Sequence, residues 1–301
     1  MDNNRIKAHL AIIGANILFG INYAVAKGVM PNHLKPGGFT LLRVIAASAL
    51  FYAISQLGQK FEKIDRKDYV RFILGGLMGV AFNQLLFLHG LNFSSPIDSS
   101  IISTLNPAMV MLIAFLAIGE RINLKKIVGL IIGASGALML IFGRGEANFG
   151  SEHFFGNIML FFNTLFYAAY LVVVKPLMSK YSPITVMRGV FTVGLFAVLP
   201  FGFTDLTNTD WSNIPISIYG AIIFVLLGPT FLAYLLNSWG LKHVQTSTVS
   251  IYIYSQPVIA TVVAAILGQD KLDAQKIIAA LLVFSGVYLV SAKTDKFKIK
   301  S

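Results

Sequence analysis

The sequence predicts an all-α, polytopic membrane protein of ten transmembrane helices arranged as two inverted five-helix repeats. Three observations carry this. The 301-residue chain is 56% hydrophobic, has a mean hydropathy of +0.73 and is only 12% charged, about half the charge of an ordinary soluble domain. Ten apolar stretches, each near the length that crosses about 30 Å of hydrocarbon, are separated by short polar breaks. Residue patterns of the first half return in the second at a nearly constant offset. A soluble enzyme is thereby excluded. With no cysteine, disulfides, thiolate catalysis and cysteine metal sites are excluded too, and the redox compartment cannot be read.

The spans are read at 8–28, 36–57, 70–89, 97–118, 124–143, 154–177, 183–203, 214–236, 246–267 and 274–292. They are apolar around their whole circumference and lack period-two alternation, which argues against a β-barrel and leaves a helix bundle. The first span follows Arg5 and Lys7 like a signal peptide, but it is long, lacks a small-residue cleavage site and precedes nine more spans. It is read as a mature helix. Alternating the connections puts 17 basic residues on the side of the N-terminus and five on the other, with Arg43 and Arg188 inside spans. By the positive-inside bias both termini are expected in the cytoplasm, with the protein in the cytoplasmic membrane. The formal net charge of +11 then reports topology, and nucleic acid is not expected as a partner.

The repeat is visible residue by residue. Thr40-Leu41-Leu42-Arg43 returns as Thr185-Val186-Met187-Arg188, an offset of 145. Gly90-Leu91, Asn106-Pro107, Glu120-Arg121 and Ser135-Gly136 return 150 residues later as Gly240-Leu241, Gln256-Pro257, Asp270-Lys271 and Ser285-Gly286. Asn16 and Tyr23 correspond to Asn163 and Tyr170. The expected halves are 1–147 and 148–301. Five spans per half is an odd number, so the second copy enters the membrane from the opposite side, the arrangement that carriers use for alternating access.

These residues resemble the drug/metabolite transporter superfamily, in particular its ten-helix EamA-type members. The resemblance rests on ILFGINYAVAK in the first span, TLLR in the second, GLNFSSPIDSSIISTLNPAMVMLIAFLAIGERI around the fourth, GLIIGASGALML in the fifth, and their counterparts GLKHVQTSTVSIYIYSQPVIATVVAAILGQDKL and ALLVFSGVYLV. It covers nearly the whole chain. The sequence departs from the family pattern at Phe19, where a Trp before Gly is common, and at Gln269-Asp270, where Gly-Glu is usual. The resemblance implies a carrier of amino acids or related metabolites. The small four-helix drug exporters related to this family would carry a Glu in the first helix; Asn16 stands there instead.

Asn16, Gly20, Tyr23 and Lys27 fall on one helical face of the first span, and Asn163, Tyr167 and Tyr170 repeat the spacing in the sixth. Polar groups in a bilayer either bond neighbouring helices or line a wet cavity; the matched occurrence favours the cavity. Ser99, Ser103 and Asn106 run up to Pro107 in the fourth span, and Thr248, Tyr252 and Ser255 run up to Gln256-Pro257 in the ninth. Each proline predicts a kink. Asn83 and Gln84 in the third span and Tyr234 and Asn237 in the eighth are weaker members of the set. The substrate-binding candidates are therefore Asn16, Tyr23, Asn83, Ser103, Asn106, Asn163, Tyr167, Tyr234, Asn237, Tyr252 and Gln256. Spans 1, 3, 4, 6, 8 and 9 should surround the cavity. Spans 5 and 10 should pack at the periphery, where a homodimer contact could form.

Arg43 and Arg188 are read as snorkelling anchors, with a substrate or gating contact as the alternative. Lys27 and Lys175 are read as interfacial anchors near the two mouths. Glu120-Arg121 and Asp270-Lys271 are read as loop-fixing ion pairs or caps, and Asp98 as a helix N-terminal acid. Gly75, Gly76 and Gly79 are read as a helix-packing surface. No acid lies mid-span for proton coupling, and the five histidines are scattered, with no metal-binding or phosphate-binding motif and no cofactor site. The expected function is movement of a small polar solute across the bilayer. An intramembrane lipid-acting enzyme and a non-transporting scaffold or sensor are the alternatives.

Overall fold

A computed structural model describes residues 3–56, 62–118, 124–142 and 151–291. The described residues are helical apart from short turns. We number the ten long helices α1 (Asn3–Val29), α2 (Pro36–Gln56), α3 (the consecutive segments Tyr69–Gly76, Leu77–Phe82 and Asn83–Phe93), α4 (Pro96–Ser103 and Asn106–Ile118) and α5 (Leu124–Phe142). The second half has α6 (Glu152–Lys180), α7 (Pro183–Thr207), α8 (Ile216–Val225, Leu226–Leu232 and Ala233–His243), α9 (Thr246–Ile251, Tyr252–Ser255 and Gln256–Ile266) and α10 (Ala274–Ser291). Eight of these are long and apolar enough to cross a membrane; α5 and α10 carry shorter apolar cores, Ile127–Gly136 and Ala274–Gly286. Several helices run past their expected ends, most clearly α8, which reaches His243.

Connections are short because the caps are local. Ser95 and Ser182 accept the amides of Asp98 (3.1 Å) and Thr185 (3.2 Å), each followed by a proline in the first turn, where a missing amide costs nothing. Ser151 caps α6 through the amide of Phe154. Glu62 takes the amide of Ser182 (2.9 and 3.2 Å to its two oxygens) at the start of α7. Burial would raise the pKa of Glu62, but hydrogen bonds from Thr185 and Ser182 hold it below the ordinary carboxylate value.

The packing repeats when the halves are exchanged. α1 lies against α8 and α9, α6 against α3 and α4, α2 against α7, and α5 against α10. The glycines of α3 let it approach closely: a Cβ on Gly79 would sit 2.1 Å from the Tyr170 ring, as the reading of that stretch as a packing surface expects.

Lys27 and Lys175 hold other helices. Lys27 Nζ donates to the carbonyls of Leu91 (3.0 Å) and Asn92 (2.7 Å) at the end of α3, and Lys175 Nζ donates to those of Leu241 and Val244 (2.6 Å) at the end of α8. A cation at the negative end of a helix dipole, bonded to carbonyls that lack helical donors, stabilises that end. Lys175→Met is expected to cost about 1–2 kcal/mol, read as a lowered thermal midpoint in detergent. An unchanged midpoint would return it to simple anchoring.

Glu120-Arg121 lies outside the described residues. The Asp270-Lys271 reading is corrected. Asp270 is capped by the Lys271 amide (2.8 Å), but its ion-pair partner is Lys276, six residues on in α10. Lys276 also lies 3.9 Å from Asp98 in the first turn of α4, and Asp98 meets His153 of α6 at 3.1 Å. Asp98 and Lys276 are buried, and Asp270, though half-buried as a residue, has a buried side chain. Burial would push the Asp270 carboxyl up, but Lys276 and Ser95 hold it below the ordinary range.

Candidate solute cavity

Both expected interruptions occur just ahead of the prolines, each ending two residues before Pro107 or Pro257. In α4 the helix breaks at Thr104 and Leu105 and restarts at Asn106; in α9 a 3₁₀ segment, Tyr252–Ser255, intervenes before Gln256. Two further irregularities have no expected counterpart. Leu77–Phe82 of α3 and Leu226–Leu232 of α8 are π-helical, matched between the halves, and they lead directly to Asn83 and Ala233-Tyr234. Wider turns of this kind gather at functional sites.

These four irregular helices, with α1, α2 and α6, surround a cavity lined by Phe19, Asn22, Tyr23, Arg43, Asn83, Gln84, Phe87, Ser103, Asn106, Asn163, Thr164, Tyr167, Tyr234, Ile253 and Gln256. It leaves about 80 Å³ for the centres of water-sized occupants, room for roughly five or more water molecules. The six expected helices are all present; α2 is the addition.

Eight of the eleven candidates line it: Tyr23, Asn83, Ser103, Asn106, Asn163, Tyr167, Tyr234 and Gln256. They are tied across the halves. The Tyr23 hydroxyl lies 2.8 Å from Ser103 Oγ and 3.0 Å from Gln256 Oε1. Asn163 donates to Asn83 O (2.8 Å) while Asn83 donates back to Asn163 O (3.3 Å). Asn106 donates to Thr164 O (3.3 Å). The Tyr234 hydroxyl reaches Gly79 O (3.0 Å) and Asn83 Oδ1 (3.2 Å).

Asn16 and Asn237 sit just behind the lining. Asn16 accepts from Gln256 Nε2 (2.7 Å), and Asn237 donates to the Tyr167 hydroxyl (2.6 Å). Tyr252 is turned away from the cavity, its hydroxyl 2.8 Å from His9 Nδ1. Ser255 is exposed, and the α9 lining is Ile253 and Gln256 instead. A 3₁₀ segment advances about 120° per residue where an α-helix advances about 100°, so the face drawn at α-helical spacing does not hold through 252–255.

Arg43 is the main correction. The anchoring reading is wrong for this residue, which is only 3% exposed and lines the cavity. Its guanidinium carbon lies 5.9 Å from the centre of the Phe87 ring, and its Nε donates to Thr230 Oγ1 (2.7 Å). The repeat counterpart Arg188 is half-buried over the Tyr52 ring, with Nη1 3.4 Å from Ser55 Oγ. Asn22 and Thr164 were also missed, although each is a polar residue beside a chosen one in an apolar span.

A multi-span helical bundle around an interior cavity lined by amide, hydroxyl and aromatic side chains belongs to the class of polytopic membrane transporters. The chain is a member of the EamA-like transporter family, whose model matches twice, over residues 6–142 and 154–292. Among similar curated proteins, the uncharacterized transporter YyaM of Bacillus subtilis is 24% identical over 95% of this chain and 94% of its own length. An uncharacterized transporter of Archaeoglobus fulgidus is 26% identical over 86% and 90%. The WAT1-related protein At4g30420 of Arabidopsis thaliana is 24% identical over 88% and 79%. One solved crystal structure shares the fold, with a TM-score of 0.66 at 19% identity over 95% of this chain and 97% of that one.

Proposed function

We propose that the protein is a secondary carrier that exports a small polar metabolite, an amino acid or related compound, by alternating access. The observation that supports this best is the cavity between two matched halves, lined from both by residues at corresponding positions, Asn106 with Gln256 foremost. The two family matches are read as inverted halves, 1–147 and 148–301, because an odd number of spans reverses the second copy. Rocking one half against the other would then expose the cavity to each side in turn. The 17-to-5 division of basic residues supports cytoplasmic termini and a cytoplasmic membrane location. The lipid bilayer and the solute are the partners proposed, with the outer faces of α5 and α10 available for a homodimer.

The test is flux. Purified protein reconstituted into liposomes, preloaded with a radiolabelled metabolite panel, is expected to release at least one polar solute faster than protein-free vesicles. Release is expected to fall when Asn106 and Gln256 are both replaced by leucine. Folded protein that moves no solute in either direction would overturn the carrier reading.

A further inference from the structure

The cavity holds a cation without a counter-ion. Among its described lining residues Arg43 is the one charged side chain, and the lining contains no Asp or Glu. Its Nη1 is buried and has no hydrogen-bond partner among the described residues. An uncompensated charge at this depth costs several kcal/mol, so its retention there calls for an anion that arrives from outside the fold.

The guanidinium is held for that purpose by a chain that starts at a proline. Pro229, inside the π-helical turn of α8, has no amide to give the carbonyl of Val225, four residues back. In the π-turn that carbonyl takes the amide five residues on, of Thr230; Thr230 Oγ1 donates to it as well (2.7 Å) and uses a lone pair to accept Arg43 Nε (2.7 Å). The Phe87 ring covers the guanidinium from one side. With Nε fixed, the guanidinium is held at the cavity wall with its Nη1 unpartnered among the described residues. A guanidinium suits a planar carboxylate, which it meets through parallel, charge-assisted bonds. A single cation matches a single negative charge; a phosphate monoester, at about −1.5 to −2 near neutral pH, would leave the cavity net negative.

We infer that Arg43 is the recognition residue for a carboxylate on the transported solute, positioned by Thr230. The inference rests on the carrier reading and names the chemistry of its cargo. Neutral acceptors with unpartnered atoms, Gln84, Asn106 and Asn22, remain for the rest of the molecule.

The test uses the full chain in detergent. Thermal midpoints are measured against glycine, alanine, leucine and lactate, each paired with its primary amide. At least one acid is expected to raise the midpoint while its amide does not. Arg43→Gln is expected to fold, since it removes an unpaired buried charge, and to weaken the apparent affinity for that acid about tenfold or more. Thr230→Val, which leaves the charge but frees its Nε, should weaken it by less, and provides the measurement should Arg43→Gln not fold. Stabilisation by amides equal to that by acids, no stabilisation by any acid, or an affinity unchanged in these variants would overturn the inference. The two readings fail differently. An acid that binds through Arg43 but shows no flux in liposomes would refute the carrier and keep the carboxylate site; flux of uncharged or cationic solutes only would do the reverse.

Discussion

Lys276→Met is expected to destabilise the protein by about 3–5 kcal/mol, the cost of breaking a buried ion pair from one side. Lys276 is 3% exposed, Asp270 7% and Asp98 2%. Removing the ammonium leaves two carboxylates, one in the first turn of α4 and one in the turn between α9 and α10, facing the same volume, with His153 beside Asp98 and Lys27 within electrostatic reach of Asp270 as the remaining basic groups. Methionine preserves most of the stem's packing, so the loss reports charge and not volume. The measurement is the thermal midpoint in detergent, together with the fraction of monodisperse protein. Lys276→Met combined with Asp270→Asn is expected to recover part of the loss, because the second change removes one of the stranded charges. The pH direction follows from Asp270, whose pKa is lowered in the fold. Its contribution is present above the ordinary carboxylate pKa and is lost as the pH falls through the depressed value. Equal midpoints for Lys276→Met and the parent would mean that water already solvates the cluster.

Gly286→Leu is expected to be the most damaging of the apolar changes. A Cβ on Gly286 would sit 2.3 Å from Gly133 N, 2.5 Å from Gly129 O and 2.6 Å from Gly133 Cα. All three are backbone atoms, so no rotamer change relieves the clash, and α5 and α10 must move apart. Overpacking usually costs about 1–3 kcal/mol and more where backbone must shift; the upper end or failure to accumulate is expected here. Gly220→Leu in α8 is the control. A Cβ there meets nothing within 4 Å, and replacing an exposed helical glycine is neutral or stabilising by up to about 1 kcal/mol. Similar effects from both variants would show that the α5–α10 contact is not close-packed.

Some of the site was legible because its signal is local. A polar side chain within some twenty apolar residues stands out, and a proline states where its helix breaks, so Tyr23, Ser103, Asn106 and Gln256 could be chosen from single spans. The repeat strengthened these choices by presenting Asn106-Pro107 and Gln256-Pro257 at the same place in both halves. Arg43 was misjudged for the opposite reason. Its fate depends on Thr230, 187 residues away, and on a proline that opens α8 there; nothing in the TLLR of α2 carries that information. The π-turn of α3 was equally hard to see, since LMGVAF holds no helix breaker, whereas Pro229 in the matching LLGPTFL of α8 was a signal that went unused. Tyr252 failed through geometry alone, being a correct kind of residue on a segment wound too tightly for the assumed face. Lys27 and Lys175 were recognised as terminal lysines, but the carbonyls they hold belong to helices more than 60 residues further on.

Those two lysines decide how the bundle is divided mechanically. Lys27 fastens the end of α1 to the end of α3, and Lys175 fastens α6 to α8. Both tethers stay inside one half. The bonds that cross between halves at the cavity are mostly of another kind: amides and hydroxyls, uncharged, two of them 3.3 Å long, with Arg43 to Thr230 the charged exception. Ion pairs that cross, among them Lys180 with Asp65 and Asp68 and Lys276 with Asp98, join residues outside the cavity lining. Neutral bonds of that sort contribute about 1 kcal/mol each and can be exchanged for water. Around the cavity the two halves are thus merely buttoned, while the charged rivets lie within each half or away from the cavity lining.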